Sequence, residues 1–102
     1  MKKLDRLLKL WENFPYYIYT HIHPETKKIF YIGKGKGGRA WEFLSRSPAH
    51  ITKLAQITLE GYPINSWVSL QTINLTEEEA LVFERNWIKA EKQINPDLLN
   101  IL

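Results

Sequence analysis

Two short segments rich in β-branched and aromatic residues lie on either side of a turn, and this pattern constrains the fold of the chain most. The segments are YYIYTHI at 16–22 and KIFYIG at 28–33, and the intervening HPETK at 23–27 contains a proline and polar residues. Together they predict an antiparallel β-hairpin. If the loop has an odd number of residues, Tyr19 and Tyr31 face each other on one side of the sheet.

Helical patterns flank a third extended segment in the rest of the chain. Residues 2–12 have the spacing of an amphipathic helix, and a helix over 47–61 opens with a serine followed by proline and stops at a glycine. Alternation of apolar and polar residues predicts a strand over 65–73. The last helix begins at a capping box formed by Thr76 and Glu79.

These elements predict a small α+β domain, in which the N-terminal hairpin and one later strand form a three-stranded antiparallel sheet flanked by helices. A single domain is expected over 1–102, with 1–14 as an amphipathic helical extension. The chain has no cysteine, which excludes a disulfide framework and a thiolate zinc site. Without a signal peptide or an apolar run of ~20 residues, an intracellular protein is expected.

Positive charge is concentrated in the first half of the chain. Residues 1–53 contain 11 Lys and Arg against 4 Asp and Glu, whereas residues 54–102 contain 3 against 7, so that a net +7 and a net −4 give the overall +3. Between Lys27 and Lys53 the count is 7 basic residues to 1 acidic. A one-sided basic region suits a nucleic-acid backbone, although basic stripes also occur on merely soluble surfaces.

The segment FYIGKGKGGRAW, residues 30–41, combines glycines with cations behind an apolar strand. Its G-x-G-x-x-G spacing satisfies the dinucleotide fingerprint, but it follows the second arm of a hairpin and not the first strand of a parallel βαβ unit. A P-loop is excluded because Gly-Lys-Ser/Thr never occurs. A flexible turn explains the glycines alone, whereas a loop that approaches a phosphate closely also explains the cations.

The last helix places a carboxylate among apolar residues. Its apolar stripe is predicted at Ala80, Phe83, Trp87 and Ile88. Glu84 occupies the middle of that stripe, where an unpaired carboxylate costs several kcal/mol. An ion pair with Arg39 or Lys89 is one explanation, and a bound metal ion is the other.

Several short motifs, taken in order, resemble those of the GIY-YIG endonucleases. They are Tyr17-Ile18-Tyr19, Tyr31-Ile32-Gly33 after eleven residues, Arg39, Glu84 within EALVFERNWIKAEKQINPDLLN, and Asn100. The resemblance covers roughly residues 15–101, and the YIGKGKGGR form is most similar to the branch linked to LEM domains in animals and found alone in bacteria and phages. Tyr17 stands where the family name has glycine. Glu42 and Phe43 stand where many members have histidine.

The resemblance implies a DNA endonuclease that hydrolyses phosphodiester bonds with Mg²⁺ or Mn²⁺. Glu84 would be the metal ligand and Arg39 would donate to the phosphate. Tyr19 would take the proton from water, with Tyr31 orienting the water or substituting as base. A phenol with a pKa near ~10 is a poor base at neutral pH, and Lys34 is the candidate cation to lower that pKa.

Supporting roles are assigned to Asn100 and to His50, the latter in place of the missing family histidine, while His21 and His23 are interpreted as hairpin and turn residues. The four catalytic residues should share one surface cleft, with Glu84 largely buried. Phosphate contacts are predicted at Lys27, Lys28, Lys36, Arg46 and Lys53.

The alternative is a nucleic-acid-binding module that kept the scaffold and lost the chemistry. A nucleotide-binding regulatory domain is a third possibility, weakened by the failed fingerprint. Within the nuclease interpretation, RNA as substrate, a targeting partner protein, and a bacterial or phage origin are all open, and the oligomeric state is not predicted.

Overall fold

The computed structural model describes residues 12–100 of the chain. The strands are β1 (Tyr16–Ile22), β2 (Ile29–Lys36) and β3 (Val68–Leu75), and the helices are α1 (Pro48–Leu59) and α2 (Glu77–Ile94). The predicted α+β architecture, a three-stranded antiparallel sheet flanked by helices, is confirmed. The predicted N-terminal helix over 2–12 lies almost entirely outside the described residues.

Both helices begin where the sequence predicts, because their start signals are local. The Ser47 hydroxyl accepts a hydrogen bond from the backbone N–H of His50 at 3.4 Å, and proline follows at the first helical position. Thr76 and Glu79 form the reciprocal capping box of α2. Each cap satisfies backbone N–H groups that have no partner within the helix.

The sheet has the order β2-β1-β3, with β1 antiparallel to both neighbours. One face, with Ile18 and Ile32, packs against α2 through Ala80 and Ile88. Phe83 is 51% exposed, so its predicted place in the apolar stripe is wrong. The stripe follows i, i+4 and i+8, which puts Glu84 in its middle as expected.

The other face of the sheet carries the aromatic residues of the hairpin. A bulge between β1 and β2 shifts the register after His21, which lies opposite Tyr31. As a result Phe30 and Tyr31, although adjacent in sequence, both pack on the cluster that contains Leu54 of α1. A bulge re-aims side chains in this way, and strict alternation does not predict it.

The glycines of β2 have a different role from the one predicted. The strand continues to Lys36, so Gly33 and Gly35 belong to the sheet and not to a phosphate-binding loop. A Cβ atom at Gly33 would lie 2.3 Å from Cζ of Tyr19, and one at Gly35 would lie 2.6 Å from Cε2 of Tyr17. The tyrosine rings therefore lie flat across bare backbone, which only glycine permits.

The chain turns only after the strand, at Gly37, whose φ of 58° lies in the left-handed region. A short 3-10 helix follows this turn, at Arg39–Trp41. The hydroxyl of Tyr17 donates to the carbonyl of Gly37 at 2.7 Å and accepts from the N–H of Ala40 at 3.0 Å. This tyrosine thereby fixes the turn that carries Arg39.

The outer edge of β2 is covered by side chains and backbone from α2 and residues 95–100. The Asn95 amide donates to the carbonyl of Ile29 at 2.7 Å, and the Leu99 N–H donates to the carbonyl of Phe30 at 2.9 Å. Further along, a carboxylate accepts from the N–H of Lys34. An edge strand whose polar groups are satisfied in this way cannot pair with another chain.

Candidate active site

A cleft of about 340 Å³, here called the β2 cleft, opens where the edge of β2 meets α1, α2 and the segment 95–100. The residues predicted to act together that line it are Tyr31, Arg39, His50, Glu84 and Asn100, and Arg46 joins them. Glu84 comes from the helix on one face of the sheet and Tyr31 from the other face. They meet because both reach the outer edge of β2.

Tyr19 is not part of the surface of the β2 cleft. It is 1% exposed and lies behind Tyr31, with their ring centroids 6.1 Å apart. Burial raises the pKa of Tyr19 to about 12, against the opposing hydrogen bond from Arg46. A buried phenol with so high a pKa stays protonated at neutral pH, so the predicted role of Tyr19 as base is not supported by its surroundings.

The expectation that Lys34 lowers the tyrosine pKa is wrong. Lys34 alternates to the α2 face of β2, where its ammonium pairs with Glu77 at 3.3 Å and lies 5.2 Å from the ring centroid of Tyr16. Its backbone is what contributes to the site, since its N–H donates to Glu84.

Arg46 is the cation that contacts Tyr19 and Tyr31. The sequence predicts Arg46 only as a phosphate contact and does not predict this role. Its Nη1 donates to the hydroxyl of Tyr19 at 2.6 Å, and its guanidinium lies 5.5 Å from the ring centroids of both Tyr19 and Tyr31. Its other nitrogens donate to the backbone carbonyls of Arg39 and Glu42. The only signal in the sequence was its place in the basic cluster.

Arg39 lines the β2 cleft from the start of the 3-10 helix. It pairs with the carboxylate of Glu42, and its Nη2 donates to the carbonyl of Ser45 at 3.3 Å. The guanidinium therefore has a fixed direction, and together with Arg46 it gives the cleft two positive charges. Two guanidinium groups beside one carboxylate suit the binding of a phosphate group.

Glu84 is half-buried rather than largely buried, and its Oε2 accepts from the N–H of Lys34 at 2.7 Å. It forms an ion pair with neither Arg39 nor Lys89, nor with any other residue in the described range 12–100. The other carboxylate oxygen has no hydrogen bond there. One oxygen is thus held by backbone while the second is available at the cleft.

Asn100 holds the middle of the β2 edge. Its Oδ1 accepts from the N–H of Ile32 at 2.9 Å and its Nδ2 donates to the carbonyl of Ile32 at 2.7 Å, so its amide imitates a neighbouring strand. Because Ile32 adjoins Tyr31, this pairing positions the tyrosine. Its predicted supporting role is therefore a contact with the protein backbone.

Replacement of Asn100 by alanine is expected to lower the free energy of unfolding by about 2–3 kcal/mol, since it leaves two backbone groups of Ile32 without partners at a covered edge. Urea denaturation followed by circular dichroism measures this as a lower midpoint with an unchanged slope. The control is Asn86→Ala on an exposed part of α2, which should change stability by less than about 0.5 kcal/mol. Equal stability of the two variants would contradict this account of Asn100.

His21 and His50 form a buried, hydrogen-bonded pair of rings next to the tyrosines. Nε2 of His21 lies 2.7 Å from the carbonyl of Ala40, and its Nδ1 lies 2.8 Å from Nε2 of His50. A carbonyl only accepts, so Nε2 of His21 carries the hydrogen, and Nε2 of His50 must donate to the unprotonated Nδ1. His21 therefore has a buried hydrogen-bonding role in addition to its predicted place in the hairpin.

The tautomers leave Nδ1 of His50 as a free acceptor. Among the described residues Nδ1 of His50 has no hydrogen-bond partner, and the side chain, although only 2% exposed, lines the β2 cleft. Its ring centroid lies 4.3 Å from that of Tyr31. Burial lowers the pKa of His50 to about 4, helped by Arg46 and Arg39, so the imidazole is neutral at physiological pH.

None of the other predicted phosphate contacts lines the β2 cleft. Lys36 is exposed and lies 5.8 Å from the ring centroid of Tyr16, and Lys27 lies in the hairpin turn with a φ of 63°. Lys28 pairs with Asp97. Lys53 projects from α1, one turn after His50, and lies 5.8 Å from the ring centroid of Phe30.

Searches of protein-family models, curated proteins and solved structures find no match to this chain. Across residues 12–100 no cluster of three or more His, Cys, Asp or Glu side chains has the arrangement of a metal site. No helix in the same range has the length and apolar character needed to cross a membrane.

Proposed function

We propose that this chain is a GIY-YIG-type endonuclease that hydrolyses phosphodiester bonds in DNA. The single observation that carries the proposal is the convergence of Tyr31, Arg39 and Glu84 in the β2 cleft, although they are supplied by a strand, a 3-10 helix and a distant helix. A structural role alone does not require two guanidinium groups and an unpaired carboxylate to face the same opening. An intracellular location goes with a DNA substrate and belongs to the same proposal.

The residues of the cleft fit a divalent cation that is held jointly by protein and substrate. Mg²⁺ is commonly bound by one or two carboxylates together with phosphate oxygens and waters, so one glutamate with a free oxygen is sufficient. Glu84 would hold the ion, which when bound supplies positive charge to the phosphate and to the leaving oxygen.

The protein's own groups provide the remaining functions. Arg39 donates to the oxygens of the scissile phosphate and stabilises the additional charge of the transition state. Tyr31 and Nδ1 of His50 hold the attacking water. His50 accepts the proton of this water, because its imidazole is unprotonated at neutral pH whereas the phenol of Tyr19 is protonated. Tyr19 and Arg46 position Tyr31 from behind.

The competing function is a binding module without catalysis. Lysines and arginines alone would serve such a module, and Glu84 beside the phosphate would weaken its affinity for DNA. We therefore expect supercoiled plasmid to be converted to the nicked form in Mg²⁺ and to remain intact, though bound, in EDTA. Binding without nicking under any divalent cation would favour the module, and the same assay with RNA tests the other substrate.

A further inference from the structure

A second opening continues the β2 cleft along the same strand and lies outside the catalytic residues. It has a volume of about 620 Å³, here called the hairpin cavity, within the ~300–1,000 Å³ of small-ligand sites. Leu99 lines both openings. The two are therefore successive parts of one groove.

The same three elements, β2, α1 and the covering segment 95–100, line both openings. Along β2 the lining passes from Tyr31 in the cleft to Phe30 and Ile29 in the cavity. Along α1 it passes from His50 to Lys53, and along the covering segment it passes from Asn100 to Asp97. Tyr31 and Lys28 are three positions apart, a length of about 10 Å for extended backbone.

The lining of the hairpin cavity is apolar in its interior and cationic at its rim. Half of its ten lining residues are apolar: Ile29, Phe30, Pro96, Leu98 and Leu99. Lys53 makes no ion pair with a described residue, whereas Lys28 is paired with Asp97. A carboxylate repels a phosphate placed inside, but it accepts hydrogen bonds from base amino groups, and the lysines can contact flanking phosphates.

We propose that the hairpin cavity binds the base of a nucleotide that flanks the scissile phosphate, turned out of the helical stack. This rests on the proposed nuclease function and specifies its substrate class as DNA with an unpaired nucleotide beside the cut. A base in a duplex is held by its partner and by its stacked neighbours, so it must leave both to enter the cavity. That costs a few kcal/mol in a duplex and least at a bulge, mismatch or single strand.

The test compares three fluorescent duplexes of one sequence in EDTA, so that no cleavage is needed. One is fully paired, one has a single bulged nucleotide, and one has the same bulge without its base. Because base contacts of this kind contribute ~1–3 kcal/mol, the base-containing bulge should bind roughly tenfold more tightly than either of the others. Equal affinity for the two bulges would overturn the proposal.

Two variants locate the preference in the hairpin cavity. Thr26→Trp, in the exposed turn that lines the cavity, should fill it and abolish the tenfold preference while the melting temperature is kept. Lys53→Met should weaken binding of the bulged duplex severalfold, whereas the control Lys92→Met, on an exposed part of α2, should not. A preference that survives both changes would place the base elsewhere and refute the assignment.

The outcomes separate this inference from the proposed function. If plasmid is nicked but the base of the bulge does not affect affinity, the subsite is refuted and the nuclease stands. If the base preference is lost in Thr26→Trp but no divalent cation supports nicking, the subsite is supported and the nuclease is refuted. Cut sites mapped on the bulged duplex in Mg²⁺ should lie beside the bulge.

Discussion

Glu84→Gln is expected to reduce Mg²⁺-dependent nicking by about 10³-fold or more while DNA affinity stays the same or rises. Glutamine keeps the shape and can still accept the N–H of Lys34, but it lacks the charge that would hold the cation. Metal-derived stabilisation of the transition state contributes several kcal/mol, and each ~1.4 kcal/mol is tenfold in rate. Affinity depends mainly on the cations, so it should survive.

The measurement is plasmid nicking beside a binding titration in EDTA and a thermal melt for each protein. Glu78→Gln is the matched control, because Glu78 is exposed on the first turn of the same helix and faces away from the cleft. It should nick as the unmodified protein does. Undiminished nicking by Glu84→Gln would show that Glu84 is not the metal ligand. A lowered melting temperature of this variant would show that Glu84 stabilises the fold by covering the β2 edge.

Acid is expected to destabilise the protein steeply below about pH 6.5 because His21 and His50 are buried as neutral rings. Burial lowers the pKa of His21 to about 3 and of His50 to about 4, against 6.5 for both groups when exposed. The unfolded chain therefore takes up protons that the folded chain does not. The stabilisation is complete above pH 6.5 and is lost as pH falls toward the folded values.

Between pH 7 and pH 5 the two histidines together should lower the free energy of unfolding by about 3–4 kcal/mol. Urea denaturation at half-unit steps of pH measures this. The double variant His21→Gln, His50→Gln should show a much flatter profile across that window. The control His23→Gln, at the hairpin turn, should keep the full slope. A double variant that also kept the full slope would refute the burial of His21 and His50 as neutral rings.

The parts of the fold that could be predicted are those fixed by neighbouring residues. The caps at Ser47 and Thr76 act within one turn of helix, so the sequence determines them directly. The hairpin was equally accessible, since its turn joins the two strands. The bulge at the hairpin end depends on packing against α1, and for that reason alternation alone did not place Phe30 and Tyr31 on one side.

The members of the candidate site were predictable only in part, because Tyr19 is buried outside the cleft, and their contacts were not predictable. Tyr31, Arg39, Glu84 and Asn100 were found through the motif resemblance and do meet at one cleft. The partners of Tyr19 and Glu84 lie 27 and 50 residues away in the chain, and no local pattern encodes such pairings. The sequence therefore predicts neither the contact of Arg46 with Tyr19 nor the pairing of the Lys34 side chain with Glu77.

The covering of β2 by residues 95–100 also sets the order in which the protein can be built. Hydrogen bonds across 66 and 68 positions of sequence complete the strand's outer edge, so the hairpin forms during synthesis long before its covering exists. In that interval the strand is open to pairing with other chains, and the cleft lacks Asn100. A ribosome-bound chain that stops short of residue 95 would thus be prone to aggregation.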